Sequence, residues 1–264
     1  MYDPPGFLWA ITIAGIIAIP AATSVVLYGG AVRSGLSRRR AALLAGGAAV
    51  VLGGWFTASA VIAGHGWYQA RLGHGVPWLP VAVAGFLALL LALRRIPVVA
   101  RALTAPGMVS RLELPHTFRV AEGTAFLLIM FLGHLPALFA LPAGLGDIAA
   151  GIAAPLVARR LAQGTGRGAL WFNAFGMTDL VNALTLGALT GFALINVTPS
   201  GAPISELPLA LIPTAAVPLL LTLHIMSVSA LRRAHRAPLP ATGPRIADAT
   251  PRAAAAGSPA SRAR

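Results

Sequence analysis

Seven long apolar segments run along this sequence, and clusters of arginine separate them. The segments cover residues 7–29, 41–63, 76–93, 120–139, 143–158, 169–193 and 207–230. A helix needs about 20 mostly apolar residues to cross the roughly 30 Å hydrocarbon core of a bilayer. Because lipid offers no hydrogen bonds to the backbone, an isolated spanning segment must be helical. The pattern predicts an all-α polytopic membrane helix bundle with about seven transmembrane helices.

The composition agrees with this prediction and argues against a soluble domain. Hydrophobic residues make up 57% of the chain and charged residues only 10%, whereas soluble domains carry about 25% charged residues. The net charge of +13 comes entirely from arginine, since the chain has no lysine. Basic proteins often bind nucleic acid, but these arginines lie between apolar runs. The expected partner is the lipid bilayer, and no nucleic acid partner is expected.

The arginine distribution predicts the orientation of the bundle. With the N-terminus outside, nineteen of the twenty arginines fall in inner loops or the C-terminal tail, and only Arg71 falls outside. Cytoplasmic loops carry such an excess of basic residues. The N-terminus is therefore predicted outside and the C-terminus in the cytoplasm. Arginine and alanine in place of lysine and serine favour a GC-rich bacterial genome, which makes the bacterial cytoplasmic membrane the expected location.

Two stretches outside the apolar segments complete the domain organisation. Residues 94–119 hold three prolines and five arginines, and they are interpreted as a cytoplasmic loop with a short interfacial helix near 98–103. Residues 234–264 are rich in proline, arginine and alanine, with too little large apolar surface to bury a core. The predicted domains are a transmembrane domain, residues 1–233, and a disordered cytoplasmic tail, residues 234–264.

Several kinds of chemistry are excluded by missing residue types. Without cysteine there are no disulfides, thiolate nucleophiles or iron–sulfur clusters. Without lysine there is no Schiff base, for retinal or any other aldehyde. No nucleophile elbow of the serine hydrolases is present. No cofactor is therefore expected.

Ionisable residues inside apolar segments are the candidates for function, because an aspartate at the bilayer centre costs about 2.5–3.5 kcal/mol. Asp179 lies near the middle of the sixth segment, and Asn182 follows three residues later on the same helix face. His224 lies at a similar inner depth in the seventh segment, and Glu122 begins the fourth. Together they could form an inner site that accepts a proton or binds a cation. The alternative is that they only hold helices together.

A second polar group is predicted near the outer surface. Asp147 begins the fifth segment and His134 lies in the outer half of the fourth. We expect Asp147 to line a cavity open to the outside, satisfied by His134 or by backbone amides near Gly144. His65, His74 and Glu206 fall on the same side, and with His134 and Asp147 they could bind a divalent metal such as zinc. Their spacing matches no standard motif, so metal binding stays open, and His65 and His74 are equally interpretable as solvated loop residues.

Small residues recur on two predicted helices and favour close helix packing. They are Gly46, Gly47, Gly53 and Gly54 in the second segment and Gly146, Ala150 and Ala154 in the fifth.

One stretch resembles a known group of proteins. Residues 135–147 read LPALFALPAGLGD, which is similar to a motif of uncharacterised bacterial multi-pass membrane proteins. Residues 213–233, from Pro213 through His224 to Arg233, are similar to that group as well. The resemblance covers about the second half of the chain and implies a polytopic bacterial membrane protein. It implies no activity, but it draws attention to Asp147 and His134.

Three functions remain open on the sequence. The first is a transport or permease-like protein that moves a small solute or a proton-coupled ion. The second is an intramembrane enzyme, with or without a metal ion, that uses the His, Asp and Glu residues. The third is a membrane scaffold or subunit whose polar residues only fix helix packing. Enzymatic activity is the less favoured interpretation, and the oligomeric state cannot be read from the chain.

Overall fold

The computed structural model describes residues 5–69 and 78–236. All regular structure in these two ranges is helical, which confirms the all-α prediction. The α-helices are α1 (Gly6–Arg33), α2 (Arg38–Gly64), α3 (Trp78–Leu93), α4 (Pro97–Leu103), α5 (Met108–Leu112), α6 (Arg119–Phe131), α7 (Ala137–Ala162), α8 (Ala169–Gly191) and α9 (Val217–Arg236). Because α9 extends to Arg236, the first three residues of the predicted tail are helical. Arg71, His74 and residues 237–264 lie outside the described residues.

Several helices have the length and apolar composition that a membrane span needs. Among the described residues there are four: Gly6–Arg33, Arg38–Gly64, Ala137–Ala162 and Ile212–Arg233. A fifth results if α3 and α4, which meet at 88°, form one broken span. Large apolar side chains also lie exposed on the outside of the bundle, among them Ile17, Val50, Phe131 and Trp171. Exposed apolar surface of this extent is unusual for a soluble monomer and is expected of lipid-facing helices.

The helices pack around a core that runs through the middle of the bundle. α7 lies between α6 and α8, α1 packs against α2 and α6, and α9 packs against α3 and α8. A π-helical turn, Ile212–Ala216, precedes α9. The largest hydrophobic cluster joins these elements through fully or nearly fully buried side chains such as Phe86, Ile129, Phe139 and Leu220.

The boundary between the fourth and fifth predicted segments is wrong by several residues. The chain turns at 132–136, not near Pro142, so α6 is the short helix of this pair and α7 the long one. Gly133 adopts φ +79°, its N–H bonds to the Met130 carbonyl, and the His134 N–H bonds to Ile129. This is the hydrogen-bond pattern of a Schellman motif, which ends a helix at a left-handed glycine. Pro142 is tolerated because membrane helices accommodate proline.

Residues 94–119 are not the simple loop that was predicted. The short helix near 98–103 is present as α4. Beyond it, α5 and a 3₁₀ turn (Leu114–Phe118) fold into the bundle against α1 and α7. Met108 and Leu112 are each only 1% exposed. Their burial anchors this segment and holds the 3₁₀ turn against the bundle. The 3₁₀ turn leads directly into α6.

The small residues behave differently on the two helices. On α7 they form a buried face, with Ala150 and Ala154 fully covered. There α6 approaches so closely that a Cβ on Gly123 would lie 2.4 Å from the Gly144 carbonyl oxygen. Gly46, Gly47, Gly53 and Gly54 of α2, by contrast, have no neighbouring atom within 4 Å of their ideal Cβ positions. The packing prediction is thus correct for α7 and wrong, within the described residues, for α2.

Candidate functional site

Arg119, the first residue of α6, is fully buried and joins two other helices through ion pairs. Its Nε donates to Asp147 Oδ1 on α7 at 2.7 Å, and its Nη2 donates to Asp179 Oδ2 on α8. Asp147 and Asp179 are only 3% and 9% exposed. One guanidinium therefore ties together α6, α7 and α8. The count of Arg119 among the loop arginines was wrong, because the 3₁₀ turn carries it into the bundle.

Glu122 lies one turn further along α6 and completes what we call the ion-pair cluster: Arg119, Glu122, Asp147 and Asp179. Glu122 is 1% exposed, and neither of its carboxylate oxygens has a hydrogen-bond partner among the described residues. It lies close enough to Asp147 and Arg119 to interact with both electrostatically. The ion-pair cluster thus contains three carboxyl groups and a single guanidinium.

A second group of polar side chains, the histidine cluster, adjoins the first: Glu113, His116, Asn173, His224 and Ser227. Glu113 and His116 come from the segment before α6, Asn173 from α8, and His224 and Ser227 from α9. The two imidazole rings stack with centroids 3.8 Å apart. Asn173 forms hydrogen bonds with Glu113, His224 and Ser227. Its Oδ1 lies 2.8 Å from His224 Nδ1.

Glu113 is held at one oxygen only. Its Oε1 accepts hydrogen bonds from Asn173 Nδ2, at 2.8 Å, and from the Ser227 hydroxyl, while Oε2 has no partner among the described residues. Burial raises the pKa of Glu113 to about 7, although the hydrogen bonds from Ser227 and Asn173 act in the opposite direction. The Glu113 carboxyl therefore presents one fixed oxygen and one available oxygen.

Two glycines allow the helices to come close enough for these contacts. A Cβ on Gly146 of α7 would lie 1.8 Å from Asp179 Oδ1, and a Cβ on Gly176 of α8 would lie 2.3 Å from His224 Nε2. Real side chains do not tolerate such approaches. Each glycine thus leaves the space that an ionisable group of the neighbouring helix occupies.

A narrow cavity of about 40 Å³ reaches Asp147 from the direction of the α8–α9 connection. Its walls are almost entirely apolar, including Phe126, Phe139 and Ile212, and Ser205 contributes a polar group near the far end. A volume of this size accommodates about one or two water molecules. The ion-pair cluster is therefore approached through a narrow cavity with mostly apolar walls.

Four of the six predicted site residues come together. Asp179 and Glu122 belong to the ion-pair cluster, and His224 belongs to the adjoining histidine cluster. Asp147 joins them, which corrects its assignment to a separate outer group. Because α7 begins at Ala137, Asp147 lies ten residues, or about 15 Å, inside the helix. Its partner is Arg119 rather than His134 or the amides near Gly144. Asp147 does line a cavity, and the opening of that cavity to the outside stays a prediction.

The other two predicted residues, Asn182 and His134, lie outside both clusters. Asn182 is exposed. Three helical residues turn the chain by about 300°, so Asn182 lies about 60° away from Asp179 around the α8 axis. That rotation places it beyond the edge of the buried face. His134 is exposed in the turn between α6 and α7. Within the part of the chain that the structure describes, the predicted outer metal group does not form around Asp147, since that carboxylate pairs with Arg119 and His65 is exposed.

Sequence reasoning missed Glu113, His116, Arg119 and Ser227. The first three were assigned to a loop because prolines and arginines surround them. A signal was present, however: Glu113, His116, Arg119 and Glu122 are each three residues apart. Residues three apart lie on one face of a 3₁₀ helix, and the chain adopts that conformation at Leu114–Phe118. This spacing could have placed all four side chains on the buried face.

These features define the class of the protein: a helical bundle with helices of membrane-spanning length and a buried group of ionisable side chains. The chain belongs to the family described as the domain of unknown function DUF8737, whose model matches residues 76–232, more than half of the chain. That range contains both clusters. Comparison with curated proteins gives no match, and comparison with solved structures gives none either.

Proposed function

We propose that the chain is a seven-helix integral protein of the bacterial cytoplasmic membrane, with its N-terminus outside and its C-terminus in the cytoplasm. The spans are α1, α2, α3, α6 with its preceding 3₁₀ turn, α7, α8, and α9 with its π-helical turn. The arginine distribution supports this topology, as does the resemblance of residues 135–147 to bacterial multi-pass proteins. Although α6 alone is about 20 Å long, the 3₁₀ turn lengthens it to about 30 Å, enough to cross the hydrocarbon core.

Within this bundle we propose that the ion-pair cluster binds a proton, or a small solute carrying positive charge, and passes it across the membrane. One observation carries the proposal: an excess of carboxyl groups over guanidinium at a fully buried place. An uncompensated buried carboxylate costs several kcal/mol in a protein interior. Glu122 has neither a hydrogen bond nor an ion pair among the described residues. A proton or a bound cation supplies the missing neutralisation.

The surroundings of the ion-pair cluster support passage through it as well as binding. The cavity at Asp147 gives access from the α8–α9 side, which is external in the proposed topology. The histidine cluster continues the line of polar groups towards the cytoplasmic segment that contains Glu113. A proton that enters at Asp147 therefore meets proton acceptors along the cytoplasmic half of the bundle. Such chains of Asp, Glu and His are typical of proton relays in membranes.

Proton flux into liposomes tests this proposal. The purified protein is reconstituted with an internal pH-sensitive dye, and acidification is followed after an imposed proton gradient. Asp179→Asn should lower the protein-dependent rate by roughly two orders of magnitude, as expected for loss of a positioned proton-transfer group. Asn182→Ala, an exposed change on the same helix, is the matched control and should keep the wild-type rate.

Two results would contradict the proposal. Wild-type liposomes that acidify no faster than empty ones exclude proton passage. Asp179→Asn liposomes with the full wild-type rate remove Asp179 from the pathway and favour the scaffold interpretation, in which the polar groups only fix helix packing. One separate observation favours the enzyme interpretation: Glu113, His116 and His224 lie together in the buried histidine cluster.

A further inference from the structure

Three ligand-type side chains meet in the histidine cluster. One atom from each of Glu113, His116 and His224 lies within 4.8 Å of the other two, and all three residues are buried. We propose that these side chains form a binding site for a divalent transition metal ion of the zinc type. The site is separate from the outer metal group considered from the sequence, and it does not depend on proton transport.

Hydrogen bonds prepare His224 as a metal ligand. Asn173 Nδ2 donates to the Ala169 carbonyl at 2.9 Å, and a carbonyl can only accept. The orientation of the amide is thereby fixed, so Asn173 Oδ1 must be the acceptor for His224 Nδ1–H, at 2.8 Å. The other nitrogen, Nε2, then carries the lone pair. A ring held at one nitrogen and free at the other is typical of histidines that bind metals.

Glu113 is prepared in a similar way. Asn173 and Ser227 both donate to its Oε1, which fixes the carboxyl group and leaves Oε2 available. The same amide group thus orients two of the three proposed ligands. Such outer-sphere contacts hold metal ligands in position and increase the affinity of metal sites.

The unsatisfied atoms of this region include electron-pair donors that a metal ion can satisfy. Among the described residues, His116 Nδ1 and Nε2, His224 Nε2 and Glu113 Oε2 are buried without a hydrogen-bond partner. A buried polar group that is left unpaired destabilises the protein. A single metal ion would satisfy one nitrogen of each histidine and the free oxygen of Glu113.

The ligand types select the metal. Imidazole nitrogens suit zinc, copper, iron and nickel, whereas magnesium and calcium prefer oxygen ligands alone. Two histidines and one glutamate are the ligand set of a class of zinc sites that keep a fourth position open. Ligand atoms about 2.0–2.1 Å from a tetrahedral zinc lie roughly 3.4 Å apart, so the three side chains need to close by about 1.4 Å or less. One imidazole must also rotate out of the stack so that both rings direct a nitrogen at the ion. The adjacent excess of carboxylates offsets the repulsion between the ion and Arg119.

Gly176 provides a steric means of testing the site without removing a ligand. A Cβ at this position would lie 2.3 Å from His224 Nε2, the proposed ligand atom. Gly176→Ala would therefore displace the ring or cover its lone pair. Loss of metal in this variant would locate the ion at Nε2 rather than elsewhere on the protein.

Metal binding to the purified full chain in detergent tests the proposal directly. The protein is stripped with a chelator and titrated with Co²⁺ and Zn²⁺, with bound metal measured by elemental analysis and Co²⁺ coordination by its visible absorption. The wild type should bind about one ion per chain, with the absorption of a four-coordinate nitrogen and oxygen site. Glu113→Gln keeps an acceptor for Asn173 and Ser227 but loses the free carboxylate oxygen, and its affinity should fall at least about a hundredfold.

The controls separate this site from every other histidine on the chain. His224→Ala and Gly176→Ala should lose binding as Glu113→Gln does, while His134→Ala, in the exposed α6–α7 turn, should bind like the wild type. Glu113→Gln provides a conservative alternative if His224→Ala does not fold. The proposal is wrong if the wild type takes up no stoichiometric metal, or if folded Glu113→Gln and His224→Ala both bind with wild-type affinity. The same side chains were named above as proton acceptors, so a bound ion would replace that part of the proton pathway, whereas the flux of Asp179→Asn tests the ion-pair cluster separately.

Discussion

Arg119 determines the arrangement of the other buried charges. It is the one cation of the ion-pair cluster, it is fully buried, and it contacts carboxylates on two different helices. Removal of one partner from a buried ion pair typically destabilises a protein by about 3–5 kcal/mol, because an uncompensated charge remains. A buried ion pair is, however, weak evidence of net stabilisation when compared with apolar packing. Net stabilisation therefore does not by itself account for this arrangement, which is why we propose that it is a site.

The contact between Gly146 and Asp179 gives a prediction at the scale of one residue. Gly146→Ala would place a methyl group 1.8 Å from Asp179 Oδ1 and should force that carboxylate away from Arg119. We expect a loss of about 1–3 kcal/mol in the free energy of unfolding, as is typical of overpacking, together with reduced proton flux. Reversible denaturation in detergent measures the first effect.

Gly53→Ala on α2 is the matched control for that measurement, because nothing lies within 4 Å of its Cβ position. Alanine is the better helix former by about 0.8–1.0 kcal/mol, so this variant should be as stable as the wild type or slightly more stable. Equal stability of Gly146→Ala and Gly53→Ala would show that the close approach of α7 to Asp179 is not present in solution.

The residues of the candidate site were only partly predictable from the sequence. Asp147, Asp179, Glu122 and His224 were found because each interrupts an apolar segment, where an ionisable group is costly. Glu113, His116 and Arg119 were missed because the surrounding prolines and arginines resemble those of a solvated loop. Side-chain partners across helices, such as Asn173 with His224, depend on helix rotation, which apolar composition does not determine.

At the scale of helices, the sequence predicted which segments are helical better than where they end. Each of the seven apolar segments overlaps a helix of the bundle. The turn between α6 and α7 was misplaced because Pro142 and Gly144 look like turn residues, whereas the turn is made by Gly133 in a left-handed conformation. A glycine that ends a helix is not distinguishable from a glycine that allows close packing until the neighbouring helix is known.

The same ambiguity explains why the packing of the small residues was predicted correctly for α7 and incorrectly for α2. Small residues recur on both α2 and α7, but only on α7 is the face that carries them covered by another helix in the described residues. Glycine spacing identifies a face that can be approached closely. Whether a neighbour occupies that face depends on the order of the helices in the bundle, which the local sequence does not contain.

At the scale of the whole molecule, topology is the proposal that governs the others, because it decides which side of the membrane each cluster faces. Reporter fusions at Gly35, Thr104 and Thr165 should give cytoplasmic signals, and fusions at Gly75 and Ser200 should give external ones. The physical reason is the retention of arginine-rich loops on the inner side. With Arg119 placed in the bundle, this rule still rests on eighteen inner arginines against Arg71. A cytoplasmic signal at Gly75 would overturn the seven-span arrangement.

The central claim is that the ion-pair cluster is a site for a proton or cation and not a packing device. Its most direct test compares Arg119→Met with the triple variant Arg119→Met, Asp147→Asn, Asp179→Asn, measuring stability and proton flux on the same preparations. The single variant should lose about 3–5 kcal/mol, and the triple variant should recover most of this because fewer buried charges remain unpaired. The account predicts that the triple variant, although folded, conducts no better than empty liposomes. A folded triple variant with the wild-type proton flux would contradict it.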